Sequence, residues 1–402
     1  MISAHTLLSP FDLESKSLLT HLRCPECGKI YDASVVQTVC NNGECDSSLF
    51  AEYNLDDALS KDILIGRPAN MWRYREFMPV TEPENIVTLG EGFTPILPLQ
   101  NLQAIAGDIQ VYWKDESGNP TGSFKARGIS AAVSKAKELG IDTIVTPTAG
   151  NAGGALAAYA ARADIKAVVY MPALTPKLFK DECRLYGAQL IEVDGSISDC
   201  GKLAHADAVK NGWFEVSTLK EPYRLEGKKT MGYEIAEQFN WQLPDVILYP
   251  TGGGTGLLGI WKAFDEMECL GWIDNHRPKM VAVQSDSCNG IVKAFHTELN
   301  VSEFTDGGFT IANGLRVPKP YADKLILKVL RKSHGNAISV SDADMAIALK
   351  EIACHEGMLI APEGAALWHA FKQLKSTGWL HNGQTVLLLN TGSGYKYLEN
   401  LS

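Results

Sequence analysis

The chain has no apolar run long enough to cross a bilayer, and its N-terminus has no basic segment followed by an apolar one. The first absence predicts that no segment spans a membrane, and the second predicts that there is no secretory signal. Positive charge is also scarce, because 37 lysine and arginine residues face 47 acidic residues and the formal net charge is −10 at pH 7. We therefore expect a cytoplasmic protein that is not a general nucleic-acid binder.

Internal repeats and low-complexity tracts are also missing from the 402 residues, so we expect a chain that is folded almost throughout. This length is sufficient for two or three domains. Apolar runs typical of buried strands alternate with Ala-rich or amphipathic segments typical of helices; the runs are 144–145, 167–171, 189–193, 246–249 and 280–283. The alternation predicts an α/β fold with mostly parallel sheets and helices on both faces.

Four of the nine cysteines lie close together near the N-terminus: Cys24, Cys27, Cys40 and Cys45. In a cytoplasmic chain, cysteines are more often thiols or metal ligands than disulfides. Four thiolates on two turns can form a tetrahedral zinc site, and a segment of this size has a core too small to fold securely without one. We predict a structural zinc-ribbon-like module over residues 1–55. Because four residues separate the second pair, a three-ligand or metal-free module is the alternative.

Lys125 follows a turn rich in Gly, Asn and Pro and precedes an Ala-rich helical run. The start of a helix offers free backbone N–H groups and a positive dipole end, and desolvation there disfavours the ammonium. A neutral amine can form a Schiff base with an aldehyde cofactor. Lys125 is therefore the candidate cofactor lysine, and a surface lysine in the first turn of a helix is the alternative.

Two glycine-rich segments each lie between a predicted strand and a predicted helix. Residues 146–154 contain Asn151, which can present its amide to a ring oxygen. Residues 251–256 can hold a phosphate through backbone N–H groups, although close strand-to-helix packing also requires glycine. A last apolar strand, 385–390, ends at Thr391, whose hydroxyl can bond to a pyridine nitrogen.

Together these segments resemble the fold-type II pyridoxal-phosphate enzymes, and within them the threonine synthases most closely. Segments 89–96, 223–230 and 391–396 belong to the same match, which runs in the family's order from about residue 89 to the end of the chain. The resemblance implies two open, twisted, mostly parallel sheets flanked by helices. It also implies a large pyridoxal-phosphate-binding domain of residues 56–129 and 231–402 and a small α/β domain of residues 130–230.

The resemblance also assigns roles to individual positions. Lys125 is the catalytic Schiff-base lysine, and the pyridoxal phosphate is surrounded by Phe124, Asn151, Gly252, Gly253, Gly254, Thr255, Gly256 and Thr391. The substrate carboxylate lies on the loop of Thr148, Ala149, Gly150, Asn151 and Ala152. The substrate phosphate lies near Arg224. Lys228 and Lys229 are weaker candidates, for which a solvated helix face is the favoured interpretation. The implied reaction converts O-phosphohomoserine and water to threonine and phosphate by γ-elimination and β-addition, in a homodimer.

Departures from the threonine synthase pattern leave the amino-acid substrate open. Ala126 stands where the family usually has Asp, and Ala149, Ala152 and Gly153 stand near the asparagine where it usually has hydroxyl residues. The loop 251–256 is closer to relatives that eliminate ammonia from serine or threonine. The alternatives are therefore a serine or threonine dehydratase, a diaminopropionate ammonia-lyase or a cysteate synthase-like enzyme.

Two function classes outside this family fit the sequence less well. A nucleotide-binding dehydrogenase would use residues 252–256 as its dinucleotide turn, but that turn normally opens the first βαβ unit and here lies deep in the chain. A metabolite sensor with a nucleic-acid-binding ribbon would need a basic cluster, which the predicted ribbon does not have.

Overall fold

Strands and helices alternate along most of the chain in this computed structural model, which describes residues 16–55, 59–305 and 308–400. The strands are β1 (Leu19–Arg23), β2 (Ile30–Tyr31), β3 (Phe50–Tyr53), β4 (Ile96–Pro98), β5 (Gln110–Asp115), β6 (Thr143–Pro147), β7 (Lys166–Pro172), β8 (Gln189–Val193), β9 (Phe214–Glu215), β10 (Val246–Pro250), β11 (Lys279–Ser285), β12 (Asn336–Val340) and β13 (Thr385–Asn390). The α-helices are α1 (Gln103–Ala106), α2 (Lys125–Glu138), α3 (Asn151–Ala163), α4 (Lys177–Leu185), α5 (Ile197–Asn211), α6 (Tyr223–Gln238), α7 (Thr255–Cys269), α8 (Gly290–His296), α9 (Asp323–Lys332), α10 (Asp342–Glu356) and α11 (Pro362–Ser376).

The largest sheet has the strand order β12–β11–β10–β13–β5–β4. Its neighbouring strands are parallel except for the edge pair β4 and β5. Ile247 and Tyr249 of β10 pack on one face with residues of α6 to α9, whereas Val246 and Leu248 pack on the other face with α10 and α11. Burial on both faces explains why the central strands are continuous apolar runs.

The second sheet is all parallel, with the order β8–β7–β6–β9. Ile144 and Val169 pack on one face against α2, α3 and α4. Val145 and Val168 pack on the other face against α5. The two parallel sheets with helices on both faces are those predicted from the sequence, so the predicted α/β fold is confirmed.

Helices α2 and α6 cross closely and connect the two parallel sheets. A Cβ atom on Gly227 would lie 2.0 Å from the carbonyl oxygen of Arg127, and one on Gly128 would lie 2.7 Å from that of Arg224. Glycine is required at both positions because the two backbones approach so closely. The crossing fixes the start of α2 relative to α6.

The N-terminal sheet is antiparallel, with the order β2–β1–β3, and it carries the four clustered cysteines on its turns. It packs against the rest of the chain through Tyr53, whose hydroxyl donates to Glu226 at 2.9 Å. Ser48 also donates a hydrogen bond to the carbonyl oxygen of Leu219. The predicted module is thus a small sheet of its own, and residues 1–15 of it lie outside the described residues.

Two of the predicted domain limits fall inside continuous helices. The limit between residues 129 and 130 falls inside α2, and the limit between residues 230 and 231 falls inside α6. The second parallel sheet, which uses residues 143–215, lies within the predicted small domain. The domain limits stay a prediction, and residues 56–58, 306–307 and 401–402 of the predicted large domain are not among the described residues.

None of the described helices has the length and apolar character needed to cross a membrane.

Candidate active site

A cavity of about 600 Å³ opens at the carboxyl ends of β6, β10 and β13, beside the start of α2. Ligands of open α/β sheets bind at this edge, because the loops that follow parallel strands meet there. Most of the predicted site residues line it: Phe124, Lys125, Thr148, Ala149, Gly150, Asn151, Ala152, Gly252, Gly253, Gly254, Thr255 and Thr391. Gly256 and Arg224 are not among the described residues of its wall.

Lys125 is the first residue of α2, as the turn before it predicts. Its amine lies 3.9 Å from the centre of the Phe124 ring, on the wall of the cavity. Burial and the nearby Arg224 lower the pKa of the Lys125 amine to about 7, although Glu363 opposes this shift. A large fraction of such an amine is neutral at neutral pH, which is the form that attacks a carbonyl carbon.

The end of β13 is hydrogen-bonded to the segment that carries Lys125. The backbone N–H of Phe124 donates to the carbonyl oxygen of Thr391 at 3.0 Å, and Ser393 donates in the same way to Gly122 at 2.9 Å. These bonds join segments that are more than 260 residues apart in the sequence. They place the side chains of Lys125 and Thr391 on one cavity wall.

The glycine-rich loop connects β10 to the start of α7. A Cβ atom on Gly252 would lie 2.1 Å from the carbonyl oxygen of Gly314, and one on Gly256 would lie 1.9 Å from the hydroxyl of Tyr249. Gly254 precedes the helix with φ of 74°, the left-handed conformation that favours glycine. The loop therefore brings bare backbone N–H groups to the N-terminus of α7, which is the arrangement that binds a phosphate.

The asparagine loop connects β6 to α3, which begins at Asn151. The hydroxyl of Thr148 accepts a hydrogen bond from the backbone N–H of Gly150 at 3.1 Å and so braces the turn. A Cβ atom on Gly153 would lie 2.9 Å from both the Cys183 sulfur and the Thr148 methyl group. This close packing accounts for glycine at one of the positions that depart from the threonine synthase pattern. The free N–H groups of the first turn of α3 can bind a carboxylate.

The predicted phosphate residues on α6 lie in different surroundings. Arg224 is buried, and its Nη1 donates to the carbonyl oxygen of Val216 at 2.6 Å. Its Nε has no hydrogen-bond partner among the described residues. Lys228, one turn further along, lines the cavity, whereas Lys229 is in a buried ion pair with Glu226. The structure thus places Lys228 on the cavity wall, Arg224 behind it and Lys229 away from it.

Burial and the positive charges of Arg224 and Lys125 hold the pKa of the Lys228 amine well below its usual value. Its stem places the amine 4.9 Å from the centre of the Phe124 ring. An anion bound near Lys228 would stabilise the charged amine and offset part of its burial cost. Lys228 is therefore better suited to bind an anion from the cavity than to lie on a solvated helix face.

Other cavity residues were missed by the sequence analysis. Glu363 is 4% exposed, and its Oε1 accepts hydrogen bonds from the Gly314 N–H at 2.6 Å and the Tyr397 hydroxyl at 2.9 Å. Burial raises the pKa of the Glu363 carboxyl group. No local sequence signal marks Glu363, because an acidic residue in the first turn of a helix is common and its two partners lie 49 and 34 residues away in the sequence. Further cationic side chains on the wall were also missed: Lys202, Lys220, Arg316 and Lys319.

The cysteine cluster forms a compact set of four ligand atoms. The sulfur atoms of Cys24, Cys27, Cys40 and Cys45 all lie within 4.8 Å of one another. Cys24 and Cys45 have sulfur atoms 3.7 Å apart, and Cys27 and Cys40 have sulfur atoms 3.5 Å apart. A tetrahedral zinc ion with Zn–S bonds of about 2.3 Å separates its sulfur ligands by roughly 3.8 Å, so these residues fit the ion. The geometry supports the four-ligand form of the module rather than the three-ligand alternative.

Replacing Cys24 by serine is expected to abolish zinc binding and to expose the N-terminal sheet to protease. A structural zinc site supplies much of the folding free energy of so small a module. The measurement is the zinc content per chain by elemental analysis, together with limited proteolysis. Cys269, which is exposed on α7, is the control, and Cys269→Ser should keep one zinc per chain. A wild-type protein without zinc after purification in zinc-supplemented buffer would contradict the prediction.

Comparison with known proteins places the chain in a family. The family described as "Pyridoxal-phosphate dependent enzyme" matches residues 87–392. The threonine synthase of Methanocaldococcus jannaschii is 34% identical over 375 residues, which cover 93% of this chain and 92% of the relative. The threonine synthase of Methanosarcina acetivorans is also 34% identical over 375 residues, covering 92% of this chain and 91% of the relative.

Solved structures of the same fold have lower sequence identity. Diaminopropionate ammonia lyase from Escherichia coli has a TM-score of 0.67 and 20% identity, with 79% of this chain and 90% of that chain covered. A pyridoxal 5'-phosphate-dependent aspartate racemase has a TM-score of 0.66 and 23% identity, with 77% and 92% covered. These structures share the fold, and their different reactions show that the fold alone does not determine the chemistry. By its sequence and its fold, the chain belongs to the pyridoxal-phosphate-dependent enzymes and, within them, to the threonine synthases.

Proposed function

We propose that this chain converts O-phosphohomoserine and water to L-threonine and phosphate, with pyridoxal phosphate bound at Lys125. The observation that carries the proposal is the cavity itself, which joins an amine of lowered pKa to a glycine-rich helix N-terminus and a cationic wall. In the described part of the chain that wall includes Lys202, Lys220, Arg316 and Lys319, against the acidic Glu215 and Glu363. Lys125 and Lys228 also line it, and a bound anion would favour the charged form of their amines, whose pKa values are lowered. A cavity with so much positive charge, in a chain of net charge −10, is suited to a substrate and a cofactor that both carry phosphate.

The residues of the cavity fit the cofactor. The N–H groups of Gly252, Gly253 and Gly254 would hold its phosphate, and a side chain at Gly252 or Gly254 would collide with the neighbouring Gly314 or Ile326. Thr391 would pair with the pyridine nitrogen and Asn151 with the ring oxygen. A neutral hydroxyl partner leaves the pyridine nitrogen unprotonated, which moderates the withdrawal of electrons by the ring.

Lys125 has two tasks in the proposed reaction. Pyridoxal phosphate supplies, when bound, an electron-withdrawing ring that stabilises negative charge next to the substrate α-carbon. With cofactor and substrate bound, the Lys125 Nζ would take up a proton first from the α-carbon and then from the β-carbon of the substrate. A pKa of about 7 suits an amine that must both take up and release a proton near neutral pH.

The two anionic ends of the substrate find separate partners. The N–H groups that open α3, from Thr148 to Ala152, would hold the carboxylate. Lys228 would reach the γ-phosphate from the cavity wall, and the unpartnered Nε of Arg224 would support it one turn away on the same helix face. Holding both ends orients the Cα–H bond toward Lys125 and places the leaving phosphate among cations that stabilise its charge.

A homodimer and a cytoplasmic location are part of the proposal. The family resemblance supports the homodimer, and the acidic composition supports the cytoplasmic location.

The proposal predicts equal amounts of phosphate and threonine from O-phosphohomoserine. The measurement uses purified protein that absorbs as a lysine–pyridoxal Schiff base, with phosphate measured colorimetrically and threonine measured by chromatography. Homoserine is the matched control, because it has the same carbon skeleton without the phosphate and should not turn over. Release of ammonia and a keto acid from serine, threonine or diaminopropionate, with no threonine formed, would contradict the proposal and favour an ammonia-eliminating enzyme.

A further inference from the structure

Lys396 reaches from the C-terminal segment to the asparagine loop. It lies in a short 3-10 helix, Gly394–Asn400, after β13. Its Nζ donates to the Oδ1 atom of Asn151 at 3.1 Å and to both carboxylate oxygens of Glu182, at 2.9 and 2.8 Å. The side chains of Lys396 and Glu182 are only 13% and 14% exposed, so water competes little for these bonds.

The contact with Lys396 determines the orientation of the Asn151 amide. An ammonium group can only donate hydrogen bonds, so the amide oxygen of Asn151 must face Lys396 and its NH₂ group must face the other way. On that side Nδ2 donates to the hydroxyl of Tyr397 at 3.3 Å. The Tyr397 hydroxyl in turn donates to Glu363 at 2.9 Å, which leaves its oxygen able to accept. The donors and acceptors are consistent along the whole chain of bonds.

Two side chains on α4, Glu182 and Phe179, hold Lys396 in place. Glu182 lies on α4, and Gly154 on α3 makes room for it, because a Cβ atom there would lie 2.1 Å from Glu182 Oε2. The Lys396 amine also lies 5.7 Å from the centre of the Phe179 ring. A long side chain with partners on three sides loses its rotational freedom in the folded state, so it can restrain the amide that it contacts.

We propose that Lys396 is a positioning residue that fixes the amide of Asn151, and that Glu182 holds Lys396 for this purpose. Asn151 then presents its NH₂ group, and not its oxygen, to the ring oxygen of the cofactor. The inference rests on the proposed role of Asn151 as a cofactor ligand. It adds a carboxylate on α4, which lies outside the motif segments, and it gives a role to the lysine that ends the segment 391–396.

The test compares Lys396→Met with Lys180→Met. Methionine retains the aliphatic length of lysine but cannot donate hydrogen bonds. Lys180 lies on α4, and its amine pairs with Glu192 at a distance of 3.0 Å. Because it has no bond to Asn151, it is the matched control. We expect Lys396→Met to weaken cofactor binding about tenfold and to shift the absorbance maximum of the bound cofactor, as loss of a positioned hydrogen bond does. Lys396→Arg should restore much of both, and Lys180→Met should change neither.

Asn151→Ala distinguishes failure of this inference from failure of the proposed site. If Asn151→Ala shifts the absorbance maximum and Lys396→Met behaves like Lys180→Met, the positioning role is overturned. Lys396→Met that only lowers the melting temperature of the cofactor-free protein, with an unchanged absorbance maximum, also overturns it, because that is a structural effect. If Asn151→Ala itself leaves cofactor binding and absorbance unchanged, the proposed role of Asn151 fails and the inference fails with it.

Discussion

Lys125→Ala is expected to lower the turnover of O-phosphohomoserine by about 10³-fold or more, because it removes both the Schiff-base amine and the group proposed to carry protons. The same change should abolish the visible absorbance that a lysine–pyridoxal Schiff base gives. Pyridoxal phosphate should still bind, more weakly, through the glycine-rich loop. The measurements are the rate of phosphate release at saturating substrate and the absorbance spectrum of the protein after dialysis against the cofactor.

Lys137→Ala is the matched control, since Lys137 is an exposed lysine on the same helix, α2. It should retain wild-type turnover and absorbance. A Lys125→Ala protein that keeps the absorbance band would show that another lysine binds the cofactor, and Lys228, which also lines the cavity, would be the first candidate. Wild-type turnover in Lys125→Ala would contradict the proposed mechanism altogether.

The site residues that were predicted from the sequence lie in short turns, and such turns can be recognised from the residues next to them in the sequence. Lys125, Asn151 and Gly252 each lie in a short turn between a predicted strand or loop and a predicted helix, where glycine, proline and asparagine fix the backbone. Parallel strands bring the turns that follow them to one edge of a sheet. Local turn chemistry and this rule place Lys125 and Gly252 at one edge of the largest sheet and Asn151 at the corresponding edge of the second sheet. The packing of the two sheets, which the rule does not cover, brings the three residues to a common cavity.

The positions of the side chains on α6 could not be predicted in this way. Arg224, Lys228 and Lys229 lie on one helix, and only the rotation of that helix decides which of them faces the cavity. The close crossing of α2 and α6 at Gly128 and Gly227 fixes that rotation. A contact between helices about 100 residues apart leaves no periodic signal in either helix, so the sequence alone could not rank the three cations.

The same limit applies to Glu363 and Lys396. Their partners are distant in sequence, and the bond from Lys396 to Asn151 spans 245 residues. Each partner taken alone is an ordinary polar residue at the start of a helix or in a terminal segment. Their importance appears only when the strand order of the sheets brings the C-terminal segment next to α3 and α4.

Glu234→Ala is expected to cause the largest loss of stability among the variants considered. The Glu234 carboxylate accepts hydrogen bonds from Nη1 and Nη2 of Arg127 at 2.5 and 2.7 Å, and from Nζ of Lys114 at 2.9 Å. Burial raises the pKa of Glu234, but the facing Arg127 and Lys114 outweigh it and lower the pKa to about 2. The side chains of all three residues have zero exposure, so the group is an ionised network without access to solvent.

Alanine at position 234 would leave buried positive charge without one of its two carboxylates. Glu116, which pairs with Arg127 Nε at 2.6 Å, would remain as the other. Removing one partner of a buried ion pair costs about 3–5 kcal/mol, several times more than removing an exposed one. The measurement is the free energy of unfolding from urea denaturation of the cofactor-free protein. The matched control is Glu268→Ala on α7, whose carboxylate is 42% exposed and pairs with Arg277, and it should cost less than about 1 kcal/mol.

Loss of the buried ion network is also expected to affect catalysis, because Arg127 lies two residues after Lys125 on α2. If the network anchors the first turn of α2, a Glu234→Gln variant that folds should lose turnover as well as stability, since glutamine cannot neutralise Arg127 and Lys114 together. Turnover per folded molecule separates the two effects, with folded protein measured by circular dichroism at the assay temperature. A Glu234→Ala protein as stable as Glu268→Ala would mean that water enters and solvates the two cations, and the network would then not be what fixes Lys125 in place.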